Sequence, residues 1–208
     1  MSNDITKLRF SYNTGGVSSK SVNREIDVYE LHRIVTSGDD QPKSYDDLPD
    51  LSLRLYRETD PAAKKTAKDT LSKAKIQIPI FILGGHCPNG HNNATLSVNG
   101  CTQADADFHY ADGDIEAQTL LQRIHDTKPA GVILATLSPG TYGVKILLWT
   151  DCLDKDRHGE AQKIALERLA KSLQIDPGVF DRLAASQPCF APYERKKGST
   201  FFNAHATP

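Results

Sequence analysis

The sequence predicts an α+β fold. A ferredoxin-like, RRM-like split βαβ core of order β-α-β-β-α-β spans residues 101–208, and an N-terminal α/β lobe over residues 1–100 packs on it within a single domain. Three observations predict this. From Cys101 onward, strand-like runs and amphipathic helices succeed one another in that order. The turn Ser138-Pro139-Gly140-Thr141-Tyr142-Gly143 joins two strand-like runs with no helix between them, as a hairpin requires. The length, 208 residues, suits one domain of ordinary size with a substantial core.

In order, Ile5-Thr6-Lys7-Leu8-Arg9-Phe10-Ser11-Tyr12 alternates polar with apolar and reads as a strand, and Gly15-Gly16 opens a loop. Ile26, Tyr29, Leu31 and Ile34 give a short amphipathic helix ending near Gly38, followed by a polar link over 39–50. Leu51, Leu53, Leu55 and Tyr56 precede Asp60-Pro61, an N-cap and first-turn pair that starts a helix running to about Ala74. Ile76 to Leu83 is an apolar strand interrupted by Pro79, hence an edge or a bulge, and Gly84-Gly85 turns the chain. A strand then ends at Asp107-Phe108-His109, Asp112-Gly113-Asp114 caps a helix over about 115–126, and Gly131 to Ala135 is a buried strand. Val144 to Trp149, a helix over 161–173 and a last strand around Cys189-Phe190-Ala191 complete the core.

The formal net charge of −1 excludes a broadly basic nucleic-acid-binding surface but not a locally basic groove. No apolar run approaches a membrane span and the N-terminus does not read as a signal peptide, so the expectation is a soluble, cytoplasmic protein with no membrane partner. Cys87, Cys101, Cys152 and Cys189 are widely spread with no CxxC pair and are expected to be free thiols. His86, Cys87, His91 and Cys101 fall close together, but adjacent His86 and Cys87 lack the spacing of a structural zinc pair. Zinc is therefore not expected, and a Gly/Asn-rich loop with incidental thiols is the plainer reading.

Asp105 and Asp107 lie one residue apart on a strand, so their side chains point the same way. Two acids on one face repel unless a cation lies between them, and a hard divalent ion takes such oxygen ligands. The plain alternative is a pair of turn or capping acids. Ser138, the turn glycines including Gly143, and Lys145 supply the parts of an anion site: close-approaching backbone, a hydroxyl and a cation. A hairpin turn with a surface lysine is the structural alternative. Asp176 is a third acid near the end of the second core helix. Lys64, Lys65 and Lys68 on the lysine-rich helix, and Arg195-Lys196-Lys197 later, could hold phosphates of a template strand at the same cleft or simply be solvated.

Taken together, an Asp-x-Asp on the first core strand, a Ser…Gly-x-Lys hairpin and a later hydrophobic-Asp resemble the archaeo-eukaryotic primase superfamily, the primase-polymerases. Many members carry histidine where Lys145 stands; the Ser-Pro-x-x-x-Gly-x-Lys form is similar to the VirE N-terminal branch of bacterial mobile elements and phages. The resemblance runs from Leu53 to Pro79, through Gly84-Gly85, to Phe190-Ala191-Pro192-Tyr193. It implies a template-dependent nucleotidyltransferase, a DNA primase/polymerase that forms phosphodiester bonds from NTPs or dNTPs. It also implies Asp105, Asp107 and Asp176 as catalytic ligands of two divalent ions, Mg²⁺ or Mn²⁺. Ser138, Gly143, Lys145 and Arg182 would hold the nucleotide, single-stranded DNA template and primer would be substrates, and a replicative helicase would be a partner. The alternative, from a different class, is a non-catalytic primase-like domain that binds nucleic acid or replication proteins.

Overall fold

The computed structural model describes residues 4–18, 23–88, 90 and 92–208. Its first half comprises β1 (Phe10–Asn13), β2 (Arg24–Ile26), α1 (Val28–Ser37), α2 (Leu48–Arg57), α3 (Pro61–Lys75), β3 (Ile80–Ile82), β4 (Gly85–His86) and β5 (Ser97–Val98). The second comprises β6 (Gly100–Asp107), α4 (Gly113–Thr127), β7 (Val132–Leu137), β8 (Gly143–Cys152), α5 (His158–Leu173), β9 (Asp181–Arg182), β10 (Cys189–Phe190) and β11 (Phe201–Phe202). The fold is α+β, and its strand pairs are antiparallel. No helix among the described residues is long and apolar enough to cross a membrane.

Helix starts follow local chemistry. The Asp27 carboxylate accepts from the Tyr29 and Glu30 amides at the head of α1, and Asp60 accepts from Ala63 N at the head of α3, with Pro61 in its first turn. Gly38 ends α1 at φ 67°, and a Cβ there would meet the Tyr193 ring at 2.5 Å, so both backbone and packing demand glycine.

The large sheet has strand order β11-β7-β8-β6-β9. Alternation along β6 divides its side chains between two layers. Ala104 and Ala106 join Leu120, Ile124, Leu166 and Leu169 beneath α4 and α5. Cys101, together with Leu147 and Trp149 of β8, faces the other way into a core with Phe10, Leu31 and Phe81. The second sheet, β10-β3-β1-β2, therefore packs with α1 on the face opposite the two core helices.

Three sequence expectations change. The strand expected around Cys189 pairs with β3 in the second sheet, and the core sheet ends on Asp181–Arg182 instead. A two-residue edge strand carries too little periodicity to be read, whereas Cys189 and Ala191 are buried in the core between the sheets and Phe190 packs, partly buried, against α2 and α3. Residues 48–57, only partly covered by the polar link, form α2, whose buried Leu48, Ser52 and Leu55 line one helical stripe. The first strand begins only at Phe10, after a 3₁₀ turn over Ile5–Lys7 capped by Asp4. Because β10 enters the second sheet, the C-terminal half supplies part of the core shared with residues 1–100.

The buried His158 makes one pH prediction. Its Nε2–H donates to the Cys101 carbonyl at 3.1 Å, and burial pushes its pKa down despite that bond. The unfolded chain therefore binds a proton more readily, so stability is full above about pH 6.5 and falls as pH drops through the lowered folded value. The urea midpoint should decline from pH 7 to pH 5, and less steeply in His158→Gln, even though His32 contributes with the same sign. Parallel declines in the two proteins would contradict the assignment.

Candidate functional site

One polar row crosses the centre of the large sheet. The register sets Thr136 of β7 against Lys145 of β8, Lys145 against Asp105 of β6, and Asp105 against Asp181 of β9. Residues paired in this way share a face, here the face away from α4 and α5. The Lys145 ammonium donates to Asp105 Oδ2, and the two side chains are only 12% and 15% exposed. Burial disfavours the charged ammonium, but the negative charge that Cys189 would carry as a thiolate and the carboxylates of Asp105 and Asp107 outweigh it and hold Lys145 above the usual lysine range. Burial pushes the Asp105 carboxyl up, against the pull of Lys145 and with Asp107 and Asp181 adding to the rise. Asp105 Oδ1 is buried without a hydrogen-bond partner among the described residues, and so is Oε1 of Gln103, two positions earlier on the same face.

Asp107 ends β6, with His109 Nε2 3.7 Å from its Oδ2. Tyr56 of α2 stacks on His109 at 5.2 Å and tilts against Tyr142 at 4.7 Å, making an aromatic wall beside the acid. Burial, then the negative charge of Asp107, pushes the Tyr56 hydroxyl up to about 12. The hairpin turn closes through Ser138 N to Gly143 O at 2.7 Å and Thr141 N to Ser138 O at 2.8 Å. Its glycines serve close packing: a Cβ on Gly140 would meet Ser52 Oγ, and one on Gly143 would meet Asp107 Oδ1 and lie 2.8 Å from Ala106 O. The left-handed residue of the turn is Thr141, at φ 65°. Ser138, Lys145, Asp107, Tyr56 and Lys75 line one cleft.

Among the residues singled out from sequence, the structure brings Asp105, Asp107, Ser138, Gly143 and Lys145 together. The structure sets the other residues singled out from sequence apart from this group. Asp176 is exposed and caps a 3₁₀ turn, accepting from Gly178 N at 2.8 Å; the third acid facing Asp105 is Asp181. Phe180-Asp181 is also a hydrophobic-Asp pair, with Phe180 buried under the core helices, and that was the signal available to sequence reading. Arg182 pairs with Ala104, so alternation turns it to the α4/α5 face, away from the acids. Lys64, Lys65 and Lys68 are exposed on α3. The lysine of that helix beside the acids is Lys75, which lies roughly 10–16 Å further along the axis at 1.5 Å per residue. Burial lowers its pKa, Lys145 lowers it further, and Asp107 and Asp105 pull it back.

The segment Arg195–Lys197 lines a separate cleft beside α4 and β7, rather than the acid cleft. His91 of the Cys/His cluster lies outside the described residues. Cys101 is in the core, and His86 Nδ1 is 3.1 Å from Ser11 Oγ.

As a cation site, Asp105, Asp107 and Asp181 have suitable chemistry: hard oxygens, one of them a buried acceptor with no partner. Their present geometry is not a closed site. Lys145 holds one Asp105 oxygen, and among the described residues no three His, Cys, Asp or Glu side chains are grouped to hold a metal. No protein-family model, curated protein or solved structure matches the chain.

Proposed function

We propose that this chain is a primase-polymerase-type nucleotidyltransferase, joining nucleotides from NTPs or dNTPs on a single-stranded DNA template. The observation that carries the reading is the sheet register, which sets Asp181, Asp105 and Lys145 side by side with Asp107 on the same strand face as Asp105. The succession β6-α4-β7-β8-α5-β9, with β6 and β8 central, supports a ferredoxin-like split βαβ core. The catalytic acids of this proposal are Asp105, Asp107 and Asp181.

Mg²⁺ or Mn²⁺ ions held by these acids would lower the pKa of a primer 3′-hydroxyl and neutralise the leaving pyrophosphate. Lys145 and Lys75 bring two positive charges to the phosphate side of the cleft, and Ser138 adds a hydroxyl from the turn. Tyr56 and His109 wall the cleft beside Asp107 and can stack on a base or restrict water. Asp105, Asp107 and Asp181 against Lys145 and Lys75 leave the site close to charge balance, suited to a metal–nucleotide complex rather than a bare polyanion.

A second reading follows from the Asp105–Lys145 ion pair, which satisfies both charges without a ligand. On that reading the domain is non-catalytic and binds nucleic acid or replication proteins. Primer extension with and without Mn²⁺ separates the two. Incorporation by the wild type should require the ion and fall by about 10²-fold or more in Asp105→Asn/Asp107→Asn, the scale of losing preorganised electrostatic contacts. No incorporation by the wild type would favour the non-catalytic reading, and equal incorporation by wild type and variant would show that Asp105 and Asp107 do not carry the reaction.

A further inference from the structure

On the other side of the hairpin turn from the acids lies a cleft of about 440 Å³ between α4, the end of β7 and the loop 193–199. Arg195, Lys196, Lys197 and His125 contribute to its wall together with the hydroxyl residues Thr136 and Thr141. Among the described residues lining it there is no aspartate or glutamate, although the chain as a whole carries one more acid than base. Neither Lys196 nor Lys197 is in an ion pair among the described residues.

The loop is built rather than loose. Glu194 Oε1 accepts from Thr200 N at 2.7 Å, closing the loop at its base, and Tyr193 N donates to Tyr45 Oη at 2.7 Å. Arg195 Nη2 donates to Tyr45 O at 2.7 Å, and its guanidinium sits 4.3 Å over the Tyr45 ring. Ser199 N donates to Lys196 O at 3.0 Å, and His125 Nε2 donates to Ser199 O at 3.2 Å, tying the loop to α4. Binding a polyanion here would need little ordering of backbone, which is the main saving that preorganisation offers.

We infer that this cleft is an oligophosphate site, separate from Asp105, Asp107 and Asp181 although Thr136, at the far end of their row, reaches its wall. Its volume exceeds the need of a single small anion, its cations are consecutive along one clamped loop, and ammonium groups serve phosphate as point charges. The phosphates belong either to a free nucleotide-type polyphosphate chain or to the backbone of a nucleic-acid strand; the recognising chemistry is the same for both.

The test is binding of inorganic tripolyphosphate to the full chain in EDTA, followed by calorimetry, so that a failure of metal-dependent catalysis does not enter the result. Lys196→Glu/Lys197→Glu should weaken binding at least tenfold while melting like the wild type, since both side chains are exposed. Asp181→Asn, an exposed change in the acid row that breaks no ion pair, should bind as the wild type does. Displacement of tripolyphosphate by a 5′-hydroxyl oligothymidylate would identify strand phosphates as the natural source, and failure to displace it would identify the free chain; either outcome supports the site. Undetectable binding at millimolar tripolyphosphate, equal binding by the double lysine variant, or loss of binding in Asp181→Asn would overturn it.

Discussion

Lys145→Ala is expected to destabilise the protein by about 3–5 kcal/mol, the cost of leaving one partner of a buried ion pair uncompensated. Sequence reasoning offers this lysine either as the cation of an anion site or as a surface residue of the hairpin. Its place in the centre of the sheet, opposite Asp105 and largely covered, makes it structural as well. Removing it leaves a carboxylate with one oxygen already lacking a partner. Asp105→Asn in the same chain should restore much of the loss, because an amide is far cheaper to bury than a charge. Urea unfolding of the two singles and the double gives the coupling directly. A single-variant loss below about 1 kcal/mol, the usual surface ion-pair scale, would show that solvent screens the pair.

Gly143→Ala is expected to cost about 1–3 kcal/mol, the range for forcing extra volume into a well-packed region. The added methyl has no free direction: it meets the Asp107 carboxylate and the Ala106 carbonyl across the β6–β8 pairing. The variant should lower the melting temperature and turn Asp107 out of the cleft. Gly159→Ala is the matched control, since a Cβ there meets nothing within 4 Å and the residue lies in α5. Equal melting of the two glycine variants would mean that Asp107 moves aside at no cost.

Much of this architecture was legible because its long elements have strong periodicity. α4, α5, β7 and β8 follow the apolar pattern, and the Ser138–Gly143 turn sits where its composition puts it. The spacing of Asp105 and Asp107 gave their common face, and the hairpin gave Lys145 as a neighbour. What could not be read depends on pairing between distant segments. Two hydrophobic-Asp pairs, Ile175-Asp176 and Phe180-Asp181, are equivalent as sequence. Only the two-residue contact of β9 with β6 selects Asp181 and, by alternation, turns Arg182 away. Lys75 was one of several lysines on a helix, and its distinction comes from lying at the end that meets the acids. Tyr56 was hidden for a related reason: the head of α2, Leu48-Pro49-Asp50, falls in the polar link and the apolar run from Leu51 to Tyr56 carries no helix of its own in the sequence reading, so nothing sets Tyr56 beside the turn until Ser52 packs against Gly140.

The identity of the third acid is most directly tested by Mn²⁺ binding, read as loss of the free-ion signal in electron paramagnetic resonance, to wild type, Asp181→Asn and Asp176→Asn. Both acids are exposed, so neither change should perturb folding, and the readout does not depend on turnover. If Asp181 completes the site with Asp105 and Asp107, Asp181→Asn weakens binding roughly tenfold or more, the effect of about 1.4 kcal/mol of lost ligand interaction, while Asp176→Asn binds as the wild type does. Weakened binding in Asp176→Asn with Asp181→Asn unchanged would contradict the assignment.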